Sequence, residues 1–72
     1  MKIKIDNSSN IAAIDYSLDD KELSVWFKHS EEVYVYQEVE PKLWLDFLDS
    51  ESKGKFIHSE IKGKYEFEKR SE

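Results

Sequence analysis

Two copies of Lys-Gly-Lys, at Lys53-Gly54-Lys55 and Lys62-Gly63-Lys64, bracket one expected helix, and with Ser52 they come nearest to residues that could do chemistry. At the C-terminal end of that helix, lysines complement the negative pole and Gly63 stands where a left-handed cap falls, so ordinary helix chemistry accounts for the second copy. At the N-terminal end lysines face the positive pole, which is unfavourable by about 0.3–1 kcal/mol each at exposed sites. A bound anion would offset this. Free backbone N–H groups, a glycine that permits close approach, the Ser52 hydroxyl and the ammonium groups of Lys53 and Lys55 all favour phosphate. The plainer alternative is that both lysines extend into solvent.

The aromatic residues Trp26, Tyr34 and Tyr36 are the second candidate. Rings on an exposed sheet face hold unpaired bases with about 1–3 kcal/mol per stacked base. Tyrosine is also an ordinary core residue whose hydroxyl reaches the rim. Strand register decides between the two. If the turn between the strands carrying these residues centres on Ser30-Glu31, Phe27 pairs with Tyr34 and Val25 with Tyr36, and both tyrosines face the core. A slip of one residue reverses the faces and puts them beside Trp26 on the open side.

Other pairings are weaker. Ser52-Lys53-Gly54-Lys55 matches the Ser-x-x-Lys of penicillin-recognising acylases, but the companion motifs are absent and a 72-residue chain leaves no room for their large cleft. His29 falls in an expected turn and His58 on the second helix, with no cysteine or repeated histidine spacing nearby, so no metal site is expected. Asp19-Asp20 and Glu31-Glu32 read as solvated turn charges and lack the spacing of a calcium loop. No nucleophile has an identifiable base. A non-enzymatic domain without a cofactor is the expectation.

The elements that must position these residues follow from periodicity. At this length one core is expected, strengthened by the 14% aromatic content. Ile3 and Ile5 alternate with charged residues, and Asn7-Ser8-Ser9-Asn10 forms a turn cluster. Strands are expected from Ile11 to Tyr16, from Glu22 to Lys28 with Trp26 its one apolar residue on the wet side, and from Val33 to Val39. Pro41 suits the first position of a helix whose Leu43, Trp44, Phe47 and Leu48 form an apolar stripe. Ser50 or Ser52 can cap a second helix with Phe56, Ile57 and Ile61 on one face. Tyr65-Glu66-Phe67-Glu68 alternates as a last short strand, and residues 69–72 are expected to fray. The predicted fold is α+β: a small antiparallel meander of about three to five strands with two C-terminal helices on one face, as a single domain over residues 1–72.

In this order the landmarks resemble the KTSC domain family. They are Ser8-Ser9-Asn10-Ile11, Leu23-x-Val25-x-Phe27, Tyr34-x-Tyr36, Val39, Pro41 and Ser52-Lys53-Gly54-Lys55-Phe56, and they cover residues 8–64. The family is named for its occurrence at the C-terminus of some lysyl-tRNA synthetases and also occurs as free-standing small proteins. The resemblance implies no assigned activity, and suggests RNA binding through the attachment to a tRNA-charging enzyme. Two departures stand out: no glycine follows Phe27, and Glu40 separates Val39 from Pro41.

Charge bears on the partner. Residues 1–50 carry a net −6 and residues 51–72 a net +1, so basic character is local in a chain of net −5. Phosphate neutralisation supplies most non-specific affinity, so RNA binding by such a domain is expected to be weak. The other class of partner is a protein, including a second copy; the oligomeric state is open. No apolar run approaches the length of a bilayer span, the N-terminus alternates where a signal peptide would be apolar, and cysteine is absent, so a cytoplasmic, non-membrane setting is expected.

Overall fold

Residues 11–36 alternate as half-buried strands do, and in the computed structural model, which describes residues 2–6 and 8–71, they form the middle of a five-stranded antiparallel sheet. Strands β1 (Ile3–Lys4), β2 (Ile11–Ser17), β3 (Glu22–Phe27), β4 (Glu32–Tyr36) and β5 (Phe67–Ser71) lie side by side in chain order. Between β4 and β5 come helix α1 (Pro41–Asp49), helix α2 (Lys53–Phe56) and a π-helical turn, Ile57–Ile61, that continues α2. The expected α+β meander with two helices is what the chain forms. Asn7, in the expected turn cluster, and Glu72, in the expected frayed end, lie outside the described residues.

Pairing of β3 with β4 sets the two faces. Val25 opposes Tyr34, Leu23 opposes Tyr36 and Trp26 opposes Val33, so the turn centres on His29-Ser30 rather than on Ser30-Glu31. Moving the centre by one residue changes each partner by two, which preserves the faces. Ser30 holds this turn: its N–H donates to the Phe27 carbonyl at 3.2 Å, and its hydroxyl oxygen accepts the Glu32 N–H at 3.1 Å. Tyr34 and Tyr36 therefore face the helices. Ile14, Leu23, Val25 and Tyr36 from the sheet, Val39, and Phe47, Ile57 and Ile61 from the helical layer form the core.

The opposite face is less open than the sequence implies. Trp26 shares it with Ala13, Val33 and Val35, all buried. Arg70 opposes Val33 and its guanidinium reaches Glu22 of β3 at 3.4 Å, which carries its side chain across β4. Arg70 also pairs with Glu68, and the Lys2 ammonium lies 4.5 Å from the Trp26 ring. Long charged side chains thus cover short apolar ones.

The C-terminal residues differ from expectation. Lys69, Arg70 and Ser71, expected to fray, pair with Tyr34, Val33 and Glu32, and the last strand begins at Phe67 instead of Tyr65. The Phe67 ring supplies the anchor, with centroids 5.3 Å from Tyr34 and 5.4 Å from Tyr36. Gly63, at φ 83°, provides the left-handed turn that ends the helical layer.

Helix α1 starts at Pro41 as expected, with Glu40 held extended before it and accepting the Leu43 N–H at 3.0 Å. Its apolar stripe is rotated from the expected one: Phe47 is buried, but Leu48 is 44% exposed. Ring packing sets the rotation. Trp44 stacks between Tyr16, at 5.3 Å, and Phe47, at 5.8 Å, while Phe56 meets Phe47 edge-on at 5.6 Å. The Tyr16 hydroxyl donates to the Val39 carbonyl at 2.5 Å, tying β2 to the chain entering α1.

Burial, with the neighbouring Tyr34 adding to it, raises the Tyr36 pKa; burial and the Glu40 carboxylate raise that of Tyr16. A phenol with a raised folded-state pKa stays neutral while the unfolded chain begins to ionise. This contribution to stability is intact below the unfolded value of about 10.0 and is lost as pH rises past it. Denaturant titrations from about pH 9 to 11.5 should show stability falling with pH, and Tyr36→Phe should make the fall shallower. An identical slope in the variant would show that Tyr36 does not contribute.

Candidate functional site

The loop at residues 8–10 and the segment from Ser52 to Ser59 enclose an open cleft of about 720 Å³, lined in part by Ser9, Asn10, Ser52, Lys55 and His58. Ser8 builds one wall. Only 8% exposed, it accepts the Asn10 N–H at 3.3 Å and the Ile11 N–H at 3.0 Å on its hydroxyl oxygen, closing the turn that starts β2. Its carbonyl takes the Lys28 ammonium at 2.5 Å. The loop is therefore held by its own hydroxyl and by Lys28, the residue that follows β3.

Gly54 builds the facing wall. A Cβ at this position would sit 3.2 Å from the Ser8 hydroxyl oxygen, so the absence of a side chain lets α2 approach the loop. This close approach brings together two sequence landmarks from opposite ends of the chain. The π-helical turn then presents His58 and Ser59, with the Lys62 N–H donating to the Ile57 carbonyl at 2.8 Å across the wider ring. The Ser59 hydroxyl is committed to the Lys55 carbonyl at 2.9 Å.

The residues of the first Lys-Gly-Lys divide in role. The Ser52 hydroxyl oxygen accepts the Lys55 N–H at 3.3 Å, an N-cap that leaves its own hydrogen to donate. That N–H, expected to be free for an anion, is thus already bonded. Lys53 turns away from the cleft. Its ammonium donates to the carbonyls of Leu48, at 3.0 Å, and Ser50, at 2.6 Å, and lies 5.6 Å from the Phe47 ring centroid. The unfavourable helix start is offset by the C-terminal end of α1, without a ligand. Of the two lysines flanking Gly54, Lys55 is the one that lines the cleft.

The aromatic candidates do not form a platform. Tyr36 is buried, and Tyr34 is half-buried with its ring edge-on to Phe27 at 5.2 Å and stacked on Phe67, while Trp26 lies on the other face. Lys62 of the second Lys-Gly-Lys lies 5.8 Å from the Phe27 ring centroid. Among the described residues, no group of three or more His, Cys, Asp or Glu is placed to hold a metal ion, and no helix is long and apolar enough to cross a membrane.

Ser9, Asn10, His58 and Ser59 were not among the expected site residues. Their signal was present but divided, because the turn cluster at residues 8–10 and His58 read separately as a loop and a helix face.

The cleft-forming residues, Ser8 to Asn10 and Ser52 to Ser59, fall within residues 7–65, which match the family model of the KTSC domain. The chain belongs to the KTSC domain family. The crystal structure of a KTSC domain protein from Yersinia pestis is 30% identical in sequence and superposes with a TM-score of 0.88, over 96% of this chain and 94% of that one. No curated protein matches the chain. In this KTSC domain, then, the cleft lies between segments that the family match itself spans.

Ordinarily a helical Gly→Ala change stabilises by about 1 kcal/mol. Here the Gly54→Ala methyl meets an oxygen fixed by two N–H bonds, so the variant should gain nothing or lose stability. In a Ser8→Ala background the same change should stabilise. Denaturant unfolding of the double-mutant cycle reads the coupling, and additive effects would show that the two residues do not limit each other's space.

Proposed function

We propose that this KTSC domain is a non-enzymatic binding module that holds single-stranded RNA weakly, gripping phosphate in the cleft between the residue 8–10 loop and the Ser52–Ser59 segment. The observation that carries this reading is the cleft itself, where Lys55 and His58 share a concave lining with serine and asparagine side chains and, among the described residues, no carboxylate, in a chain of net charge −5. Charge-assisted hydrogen bonds to phosphate are stronger than neutral ones. The family's occurrence on some lysyl-tRNA synthetases supports the same class of ligand. The reading places the domain in the cytoplasm, where that RNA resides.

A second reading, a protein-binding or self-associating domain, draws on Leu45 and Leu48, which are 62% and 44% exposed on the outer side of α1. The two readings use different surfaces. An NMR titration with single-stranded RNA and tRNA at low salt should shift Ser9, Asn10, Gly54, Lys55 and His58. Lys55→Glu should abolish those shifts, and raised salt should weaken them. Lys53→Ala should leave them in place while lowering stability by about 0.5–1 kcal/mol, through the lost interaction with the α1 C-terminus. Shifts confined to Leu45 and Leu48 on self-association, with the cleft silent to RNA, would favour the second reading.

A further inference from the structure

The sign of charge changes along the segment that lines the cleft, from Glu51 through Lys55 to Glu60. The cleft's lining includes Lys55, His58, Asn10, Ser9 and Ser52, whose side chains carry an ammonium, an imidazole, an amide and two hydroxyls. Next to the lining residues Ser52 and Ser59 in the chain stand Glu51 and Glu60, both exposed. A strand running through the cleft would carry its flanking phosphates past those carboxylates. A single phosphate group held inside avoids them.

Charge density separates two kinds of phosphate. A diester within a strand carries one negative charge, whereas a monoester carries about −1.5 to −2 at neutral pH and offers three terminal acceptor oxygens. A compact set of donors around one recess suits the monoester. The volume, about 720 Å³, is far more than one phosphate fills and falls in the range of about 300–1,000 Å³ typical of small-ligand sites. Space therefore remains for the adjoining nucleoside.

The geometry points to a cleft that takes the phosphomonoester end of a nucleotide or RNA strand, with Lys55 supplying a cationic contact and His58, Ser9, Asn10 and Ser52 donating hydrogen bonds. This rests on the RNA reading above and narrows it from strand to strand end. Gly54 and Ser8 set the depth of the recess, because a side chain at Gly54 would close on the Ser8 hydroxyl.

The test titrates the intact chain, followed by NMR, with one short single-stranded RNA in three forms: 5′-phosphorylated, 3′-phosphorylated, and hydroxyl at both ends. Adenosine 5′-monophosphate and adenosine complete the set. One phosphorylated form should bind at least about tenfold tighter than the hydroxyl form, the effect of one added charge-assisted hydrogen bond, and which form does so identifies the end. The nucleotide should shift the cleft resonances and the nucleoside should not. Lys55→Met, a change at an exposed side chain, should remove most of the preference. Equal affinities for all three strands, with shifts still in the cleft, would overturn end recognition and leave RNA binding standing. A cleft silent to every strand and to the nucleotide would overturn both.

Discussion

Opposition of Val25 to Tyr34 and of Leu23 to Tyr36 decides which side chains of the central strands meet the helices, and both faces of the sheet follow from it. Because side chains alternate, the same pairing that turns the tyrosines inward sends Trp26, Val33 and Val35 to the other face. Two aromatic groups then hold the helix-facing side. One runs from Tyr16 through Trp44 and Phe47 to Phe56, and the other joins Phe27, Tyr34, Phe67 and Tyr36. The first fixes the rotation of α1 on the sheet, and the second fixes β5 against β4. A sheet that spends these tyrosines on such contacts does not present them as a platform for stacking bases.

The junction of the residue 8–10 loop and α2 rests on two small residues. Ser8 satisfies two N–H groups of its own loop, and Gly54 lets the start of α2 come against the hydroxyl that does so. The recess beside them is a consequence of how the two layers join at this corner. Lys53 contributes to the same corner from the other side, by bonding the last carbonyls of α1 and so fixing the short link to α2. Of the lysines flanking Gly54, one holds the scaffold and the other lines the cleft.

Much of the fold was legible because local signals and the tertiary arrangement agree: alternation in β2 and β3, Pro41 at the helix start, and Gly63 at the helical layer's end. Other features depend on partners far away in the chain. The turn at residues 28–31 lacks a glycine that would set its length, so the register could not be read, although both tyrosines lie on one of the two faces considered. Residues 69–71 are exposed, and read as a fraying tail until Phe67 finds Tyr34 and Tyr36 and β5 pairs with β4. The π-helical turn has no marker in its side-chain pattern, since Ile57 and Ile61 would share a face in an α-helix as well. In the site, Gly54 and Lys55 were visible, but Lys53 looked identical to Lys55. Only the position of the α1 carbonyls separates them.

The acidity of the domain and the basic character of its cleft are compatible because they act over different distances. At physiological ionic strength, exposed charges are screened beyond about 8 Å, so acidic residues farther than that from the cleft, which make up much of the net −5, act little on a contact inside it. A phosphate that has reached Lys55 is governed by the few groups lining the wall, whereas a strand approaching from solvent meets the whole negative surface. Such a surface disfavours indiscriminate adsorption of nucleic acid, and on the proposed reading a short-range site would supply the affinity. On that reading the arrangement suits a domain that recognises one group on a partner delivered to it, rather than one that collects RNA from solution. Attachment to a larger RNA-handling protein would provide that delivery by raising the local concentration of the ligand.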